Sequence, residues 1–173
     1  MASKNTFIGL GSNVGDRLRS LQNAVEALHA RDLEVSHVSR VYESAALTLD
    51  GKSQADYLNL VLMANTHLSP RVLLARCMRI EWKLGRRKES GRWMPRPIDI
   101  DILLFEGISM TSDSLTIPHP EMMMRSFVML PLREILNERD ADRFFIRPGA
   151  HLPQKPRCVS TTMEVKIPNL RVS

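Results

Sequence analysis

The segment RWMPRPIDIDILLF, Arg92 to Phe105, carries the side chains best suited to chemistry. Asp99 and Asp101 alternate with Ile98, Ile100 and Ile102, so a strand here has one apolar face and one face with two carboxylates. Same-face neighbours on a strand lie roughly 6–7 Å apart, close enough to converge on one cation or to flank a pair. Magnesium takes one or two carboxylates and fills its other positions with water and phosphate oxygens. Arg86, Arg87, Lys88, Arg92 and Arg96 fall within eleven residues, offset only by Glu89. A solvated edge strand and a solvated basic loop are the plainer accounts. Against them, Ile102 to Phe105 make an interior strand, where unpaired charge is costly, so a metal–phosphate site becomes the stronger expectation.

Other single residues are less specific. His119 is held between Pro118 and Pro120, with Arg125 and Phe127 close behind, and Trp93 adjoins Arg92. A structural histidine, a core phenylalanine and a loop-anchoring tryptophan explain these equally well. GLGSNVGD (Gly9 to Asp16) has glycines spaced G-x-G-x-x-x-G. The dinucleotide fingerprint needs G-x-G-x-x-G, and no Lys-Ser/Thr pair follows as in a phosphate-binding P-loop. A tight turn leading into a helix remains.

The elements that must position these groups follow from periodicity. TFIGLG is a short apolar strand, and Leu18, Leu21, Val25 and Leu28 give an amphipathic helix. Leu33 to Glu43, rich in β-branched residues, reads as one strand, and Ser44 to Ala55 as a loop. Asp56 to Leu68 alternates as a third strand, with Leu58, Leu60 and Leu62 opposed to Tyr57, Asn59 and Val61. Ser69-Pro70 starts a second helix, striped by Leu73, Cys77, Ile80 and Leu84 and ended by Gly85. The order β-α-β-β-α-β predicts a ferredoxin-like α+β sandwich, an antiparallel sheet with both helices on one face. Tyr57, Asn59, Asp99 and Asp101 then share the opposite face. Beyond Phe105 come a Glu-Gly turn, a short strand and helical turns interrupted by Pro120 and Pro131. The residues after 136 show no steady period, which predicts a folded domain at 1–136 and an irregular, partly mobile extension of it at 137–173.

The chain has 173 residues, 43% hydrophobic and 25% charged, as expected of one globular domain. No apolar run is long enough to span a membrane, and the first residues lack the apolar core of a secretory signal. Cys77 and Cys158 have no metal or redox spacing, so reduced thiols and a cytoplasmic location are expected. A net charge of +5 favours an anionic partner. A small RNA-binding module of the same topology would also be basic. The central strands, however, lack the paired exposed aromatics that stack bases, so nucleic acid is not expected.

Taken in order, GLGSNVGDR, YLN, LSP, RIEWKLGRRKESGRWMPRPIDIDILLF and IPHPEMMMRSFVMLPLREI resemble the 6-hydroxymethyl-7,8-dihydropterin pyrophosphokinases of folate biosynthesis. The similarity covers about residues 5–136. It implies the ferredoxin-like fold and transfer of diphosphate from ATP to the pterin hydroxymethyl group, with AMP released. Asp99 and Asp101 would bridge two magnesium ions, and Arg86 and Arg96 would stabilise the transferring group. Glu81, Lys88, Arg92, Trp93, Arg96, His119 and Arg125 would bind ATP, with the backbone near Ile102 and Thr116 taking the adenine. Tyr57 and Phe127 would stack on the pterin, beside Trp93, with Asn59, Ser44, Ala45 and Leu47 along its edge. ATP and the pterin would be the partners of a monomer, and a paralogue that binds them without transfer is the alternative. Two positions depart from the family pattern: the loop after the second strand, SAALTLDGKSQ, has no proline, and Met94 stands where glycine is common.

Overall fold

The structure is a computed structural model that describes residues 2–46, 54–87, 95–137 and 143–144, and residues 157–158 for backbone alone. Its elements are β1 (Lys4–Ser12), α1 (Arg17–Leu28), β2 (Leu33–Val38), β3 (Tyr42–Ser44), β4 (Tyr57–Thr66), α2 (Pro70–Lys83) and β5 (Asp99–Phe105). After these come β6 (Met110–Thr111), β7 (Thr116–Ile117), a 3-10 turn at Met122–Met124, α3 (Ser126–Ile135) and β8 (Arg157–Cys158).

The main sheet is antiparallel throughout, in the order β5-β1-β4-β3-β8, with β2 pairing the far half of β4. Strand 33–43, expected as one piece, is two. Ser39 breaks it: its amide donates to the Val61 carbonyl (2.9 Å), and its hydroxyl accepts from the Val61 amide (3.0 Å). A side chain thus replaces one rung of the ladder, and β2 and β3 lie end to end along β4.

Both helices predicted from periodicity form, and each begins as its sequence dictates. The Asp16 carboxylate accepts from the Arg19 amide at 3.0 Å, capping α1. Ser69 caps α2 with Pro70 in its first turn. Leu21, Val25 and Leu28 from α1 and Leu73, Cys77 and Ile80 from α2 meet Ile8, Leu10, Leu60, Leu62, Ile100 and Ile102 in one buried core. Cys77 is free, and burial pushes its thiol up to about 12, so it serves as packing.

The opposite face of the sheet is divided. One half is covered by α3, whose Met129 and Leu132 join Phe7, Val61, Leu103, Leu104 and Met122 in a second core. Pro131 lies inside α3 and does not interrupt it. Its missing amide forfeits one helical hydrogen bond, which the burial of the surrounding apolar side chains offsets. Phe144 completes this core, its ring edge-on to Phe7 with centroids 5.0 Å apart. Part of the C-terminal extension is therefore built into the domain. β8 adds more, pairing with β3 through Tyr42 and Glu43. The other half of this face is left open.

Candidate active site

The open half begins where the strands change character. In register, Gly9 of β1 sits between Val61 of β4 and Asp101 of β5, and Gly11 sits between Asn59 and Asp99. One step towards the covered half the same positions hold Phe7, Met63 and Leu104. Along each strand the side chains thus pass from apolar to polar or absent, and a cavity of about 470 Å³ forms over the change. Tyr57, Asn59, Asp99, Asp101, Arg86 and Arg96 all line it. So do Ser44, Ala45, Glu81, His119, Arg125 and Phe127. The shared face expected for Tyr57, Asn59 and the two aspartates is present.

Gly9 and Gly11 lie on the expected first strand, and their bare backbone makes the cavity floor. A Cβ on Gly11 would sit 3.3 Å from the Asn59 side-chain oxygen and 3.6 Å from the Tyr57 ring, and one on Gly9 would sit 3.3 Å from a Leu103 methyl. Bare backbone here leaves room for a flat molecule between the amide and the carboxylates. The signal in the sequence was a pair of glycines two apart on an apolar strand, the mark of close approach by another group.

The two carboxylates differ. One Asp99 oxygen accepts from Arg86 at 2.8 Å and from Arg96 at 3.1 Å. The Asp101 side chain makes no hydrogen bond or ion pair with any described residue. Burial, and then the neighbouring Asp99 charge, push its carboxyl up to about 6. Among the described residues no three acidic, histidine or cysteine side chains cluster as a closed metal site. The donor set therefore suits an ion that draws most of its ligands from water and phosphate.

Glu81 reaches the cavity from α2 and is 5% exposed. It accepts from the Arg86 guanidinium and, at 2.8 Å, from the amide of Ile100 on β5, an edge strand. Burial raises its carboxyl to about 7 against the pull of Arg86. The end of α2 explains how Arg86 arrives. The Arg86 amide bonds the Glu81 carbonyl (2.9 Å) and the Gly85 amide bonds Trp82 (3.2 Å), with Gly85 at φ +103. This is a Schellman stop, and it turns the chain so that Arg86 folds back over Glu81 and Asp99.

On the opposite rim, the Glu121 amide donates to His119 Nδ1 at 3.3 Å, which leaves the imidazole proton on Nε2. Burial, reinforced by Arg125, lowers the His119 pKa, so the ring is neutral. Arg125 pairs with Glu121 and lies 5.8 Å from the centroid of the Phe127 ring. Asn59 donates to the Ser44 hydroxyl at 3.0 Å and to the Tyr42 carbonyl at 3.3 Å. Burial raises the Tyr57 phenol, which is therefore neutral.

Not every expected residue reaches this cavity. The Ile102 side chain belongs to the helix-side core, and Thr116 lies on the small β6–β7 ribbon; neither lines the cavity. Leu47, Lys88, Arg92, Trp93 and Met94 lie outside the described residues.

Residues 7–137 match the family described as 7,8-dihydro-6-hydroxymethylpterin-pyrophosphokinase. The 2-amino-4-hydroxy-6-hydroxymethyldihydropteridine pyrophosphokinase of Aquifex aeolicus is 43% identical over 129 residues, 75% of this chain and 78% of that protein. Its namesake in Bacillus subtilis is 41% identical over 133 residues, 76% of this chain and 78% of that protein. A mitochondrial folate synthesis bifunctional protein of Pisum sativum is 40% identical across 77% of this chain, which spans only 25% of its length. Among solved structures, an HPPK-DHPS of Plasmodium falciparum crystallised with pteroate superposes with a TM-score of 0.59. It covers 76% of this chain and 38% of its own at 15% identity, a likeness of fold alone.

Proposed function

The chain belongs to the 7,8-dihydro-6-hydroxymethylpterin-pyrophosphokinase family, and from that premise we propose how its cavity performs the transfer. The activity is that of a diphosphokinase of folate biosynthesis: the hydroxymethyl oxygen of the pterin takes a diphosphate from ATP, and AMP leaves. The observation that carries the residue assignment is the strip of bare backbone at Gly9 and Gly11, with Tyr57 and Asn59 on one side and Asp99 and Asp101 on the other.

On this reading the flat pterin lies over the strip. Tyr57 and Phe127 hold its faces, and Asn59 and the Ser44–Ala45 backbone meet its edge. Asn59 suits this role because its amide is anchored by three bonds, to Ser44, Tyr42 and Tyr57. The triphosphate lies on the carboxylate side. Asp99 and Asp101 would hold two magnesium ions, which fits an Asp101 carboxylate that no described cation hydrogen-bonds. Bound there, magnesium supplies charge neutralisation of the polyphosphate and acidifies the attacking hydroxyl.

The remaining steps fall to the chain's own groups. Arg86 and Arg96 exchange the Asp99 oxygen for oxygens of the transferring group, where preorganised donors lower the barrier most. His119 Nε2–H and Arg125 donate to the phosphates from the far rim. Glu81 keeps Arg86 aimed and closes the β5 edge. Lys88, Arg92 and Trp93 complete the nucleotide side in the same scheme, with adenine against the backbone near Ile102 and Thr116. No side chain is required as a general base. Positioning and electrostatics dominate phosphoryl transfer. The proposal extends to a monomer acting in the cytoplasm.

Supplied with MgATP and 6-hydroxymethyl-7,8-dihydropterin, the protein is expected to form AMP, and only with both substrates and magnesium present. ADP as the product would overturn the reaction class. Asp101→Ala is expected to lower turnover by about a hundredfold or more while the protein stays folded. An Asp101→Ala variant that retained most activity would remove the metal assignment.

A further inference from the structure

We infer that Asn13 is a positioning residue that fixes the phosphate-side Arg96 and ties it to the stem of the pterin side. Asn13 follows β1, is 3% exposed, and belongs to neither substrate's predicted contacts. Its amide donates to the Arg96 carbonyl at 3.2 Å, and its side-chain oxygen accepts from the Arg96 amide at 2.8 Å. The two bonds make a closed reciprocal pair across 83 residues of sequence. Its side-chain nitrogen donates to the Ala55 carbonyl at 3.4 Å, two residues before Tyr57. Arg17, at the start of α1, holds the same stem, donating to the Asp56 carbonyl at 2.6 Å and to Glu43 at 3.0 Å.

The chemistry selects asparagine. Arg96 precedes Pro97, which has no amide to extend a ladder, so the backbone of Arg96 needs a partner from elsewhere. A side-chain amide offers an acceptor to Arg96 and a donor to Ala55 at once. Aspartate keeps only the acceptor, and alanine keeps neither. With its backbone clamped on both sides, Arg96 carries its guanidinium to Asp99, 3.1 Å away. Asn13 thus sets where a reacting guanidinium lies without touching a substrate, and it joins the two halves of the site through one buried amide.

The inference rests on the assignment of Arg96 to the transferring group, and steady-state kinetics separate the two ideas. Asn13→Ala is expected to lower kcat roughly ten- to a hundredfold, the scale of a displaced catalytic group, with the KM for ATP changed by less than about threefold. In a double-mutant cycle, Arg96→Ala is expected to cost far less in the Asn13→Ala background than in the parent. Asn13→Asp, which keeps the acceptor for Arg96 and loses the donor to Ala55, is expected to lower kcat less than Asn13→Ala and to raise the KM for the pterin. Should Asn13→Ala fail to fold, Asn13→Asp carries the test through that pterin KM. Additive effects in the cycle, or an unchanged pterin KM in Asn13→Asp, would overturn the inference. A parent that forms no AMP would count against the assigned activity, whereas an active parent with unaffected variants would count against Asn13 alone.

Discussion

At the scale of single residues, the site works by giving like groups unlike surroundings. Asp99 is shared by two guanidiniums, while for Asp101, two positions on, burial and the like charge of Asp99 outweigh the more distant pull of Arg125, Arg86 and Arg96. In the metal-free protein the Asp101 carboxyl rises from 3.8 to about 6 and that of Glu81 from 4.5 to about 7. Both folded values exceed the unfolded ones, so the folded chain binds more protons between these limits. The resulting stability is fully present below about pH 4 and is lost as pH rises through 6 to 7. The melting temperature of metal-free protein is therefore expected to fall between pH 5 and pH 7.5. If magnesium binds the ionised pair, it should raise the melting temperature clearly at pH 7.5 and little at pH 5. Equal magnesium shifts at both values in a thermal melt would contradict that scheme. The glycine floor makes a separate prediction. Gly11→Ala places a methyl 3.3 Å from the oxygen of the Asn59 amide, whose nitrogen is anchored to Ser44 and Tyr42. Gly9→Ala meets the ends of a leucine that can turn aside. Gly11→Ala should raise the KM for the pterin by about tenfold, a change near 1.4 kcal/mol, and Gly9→Ala should raise it less.

At the scale of elements, α2 is both a core helix and the mount for Arg86, and its last turn decides the second role. Gly85 stands at φ +103, a conformation that costs a side chain roughly 1–2 kcal/mol. Gly85→Ala is expected to lower unfolding stability by about that much and to lower kcat by a larger factor, because Arg86 hangs from this turn. Chemical denaturation and turnover on one preparation compare the two losses. Periodicity made most of this architecture legible. Alternation every second residue put Tyr57, Asn59, Asp99 and Asp101 on one face, and Ser69-Pro70 and Gly85 marked both ends of α2. It placed Gly9 and Gly11 on a strand but not in the cavity floor, because a residue without a side chain leaves no alternation to show which face it opens. Nor did it see that α3 runs on through Pro131, where burial outweighs a local rule, or that Ser39 splits a strand by lending its hydroxyl to the ladder. The Asn13–Arg96 pair lay further out of reach, since nothing local in sequence announces a partner 83 residues away.

At the scale of the whole molecule, the sheet separates two cores and leaves half of its second face to an open cavity. Phe144, beyond the span of the family match, is 3% exposed and packs edge-on against Phe7. Phe144→Ala is expected to cost about 3 kcal/mol of stability, as for other buried aromatics. An unchanged denaturation midpoint would show that this stretch is dispensable. No helix among the described residues is long and apolar enough to cross a membrane. The division of the face has one last consequence. The floor of the cavity is hydrogen-bonded strand to strand and backed by α1 and α2 from below, with α3 abutting it on the same side. Such a slab behaves as an anvil. Within the proposed scheme it serves as fixed footing, and fit to a ligand falls to the side chains around its rim.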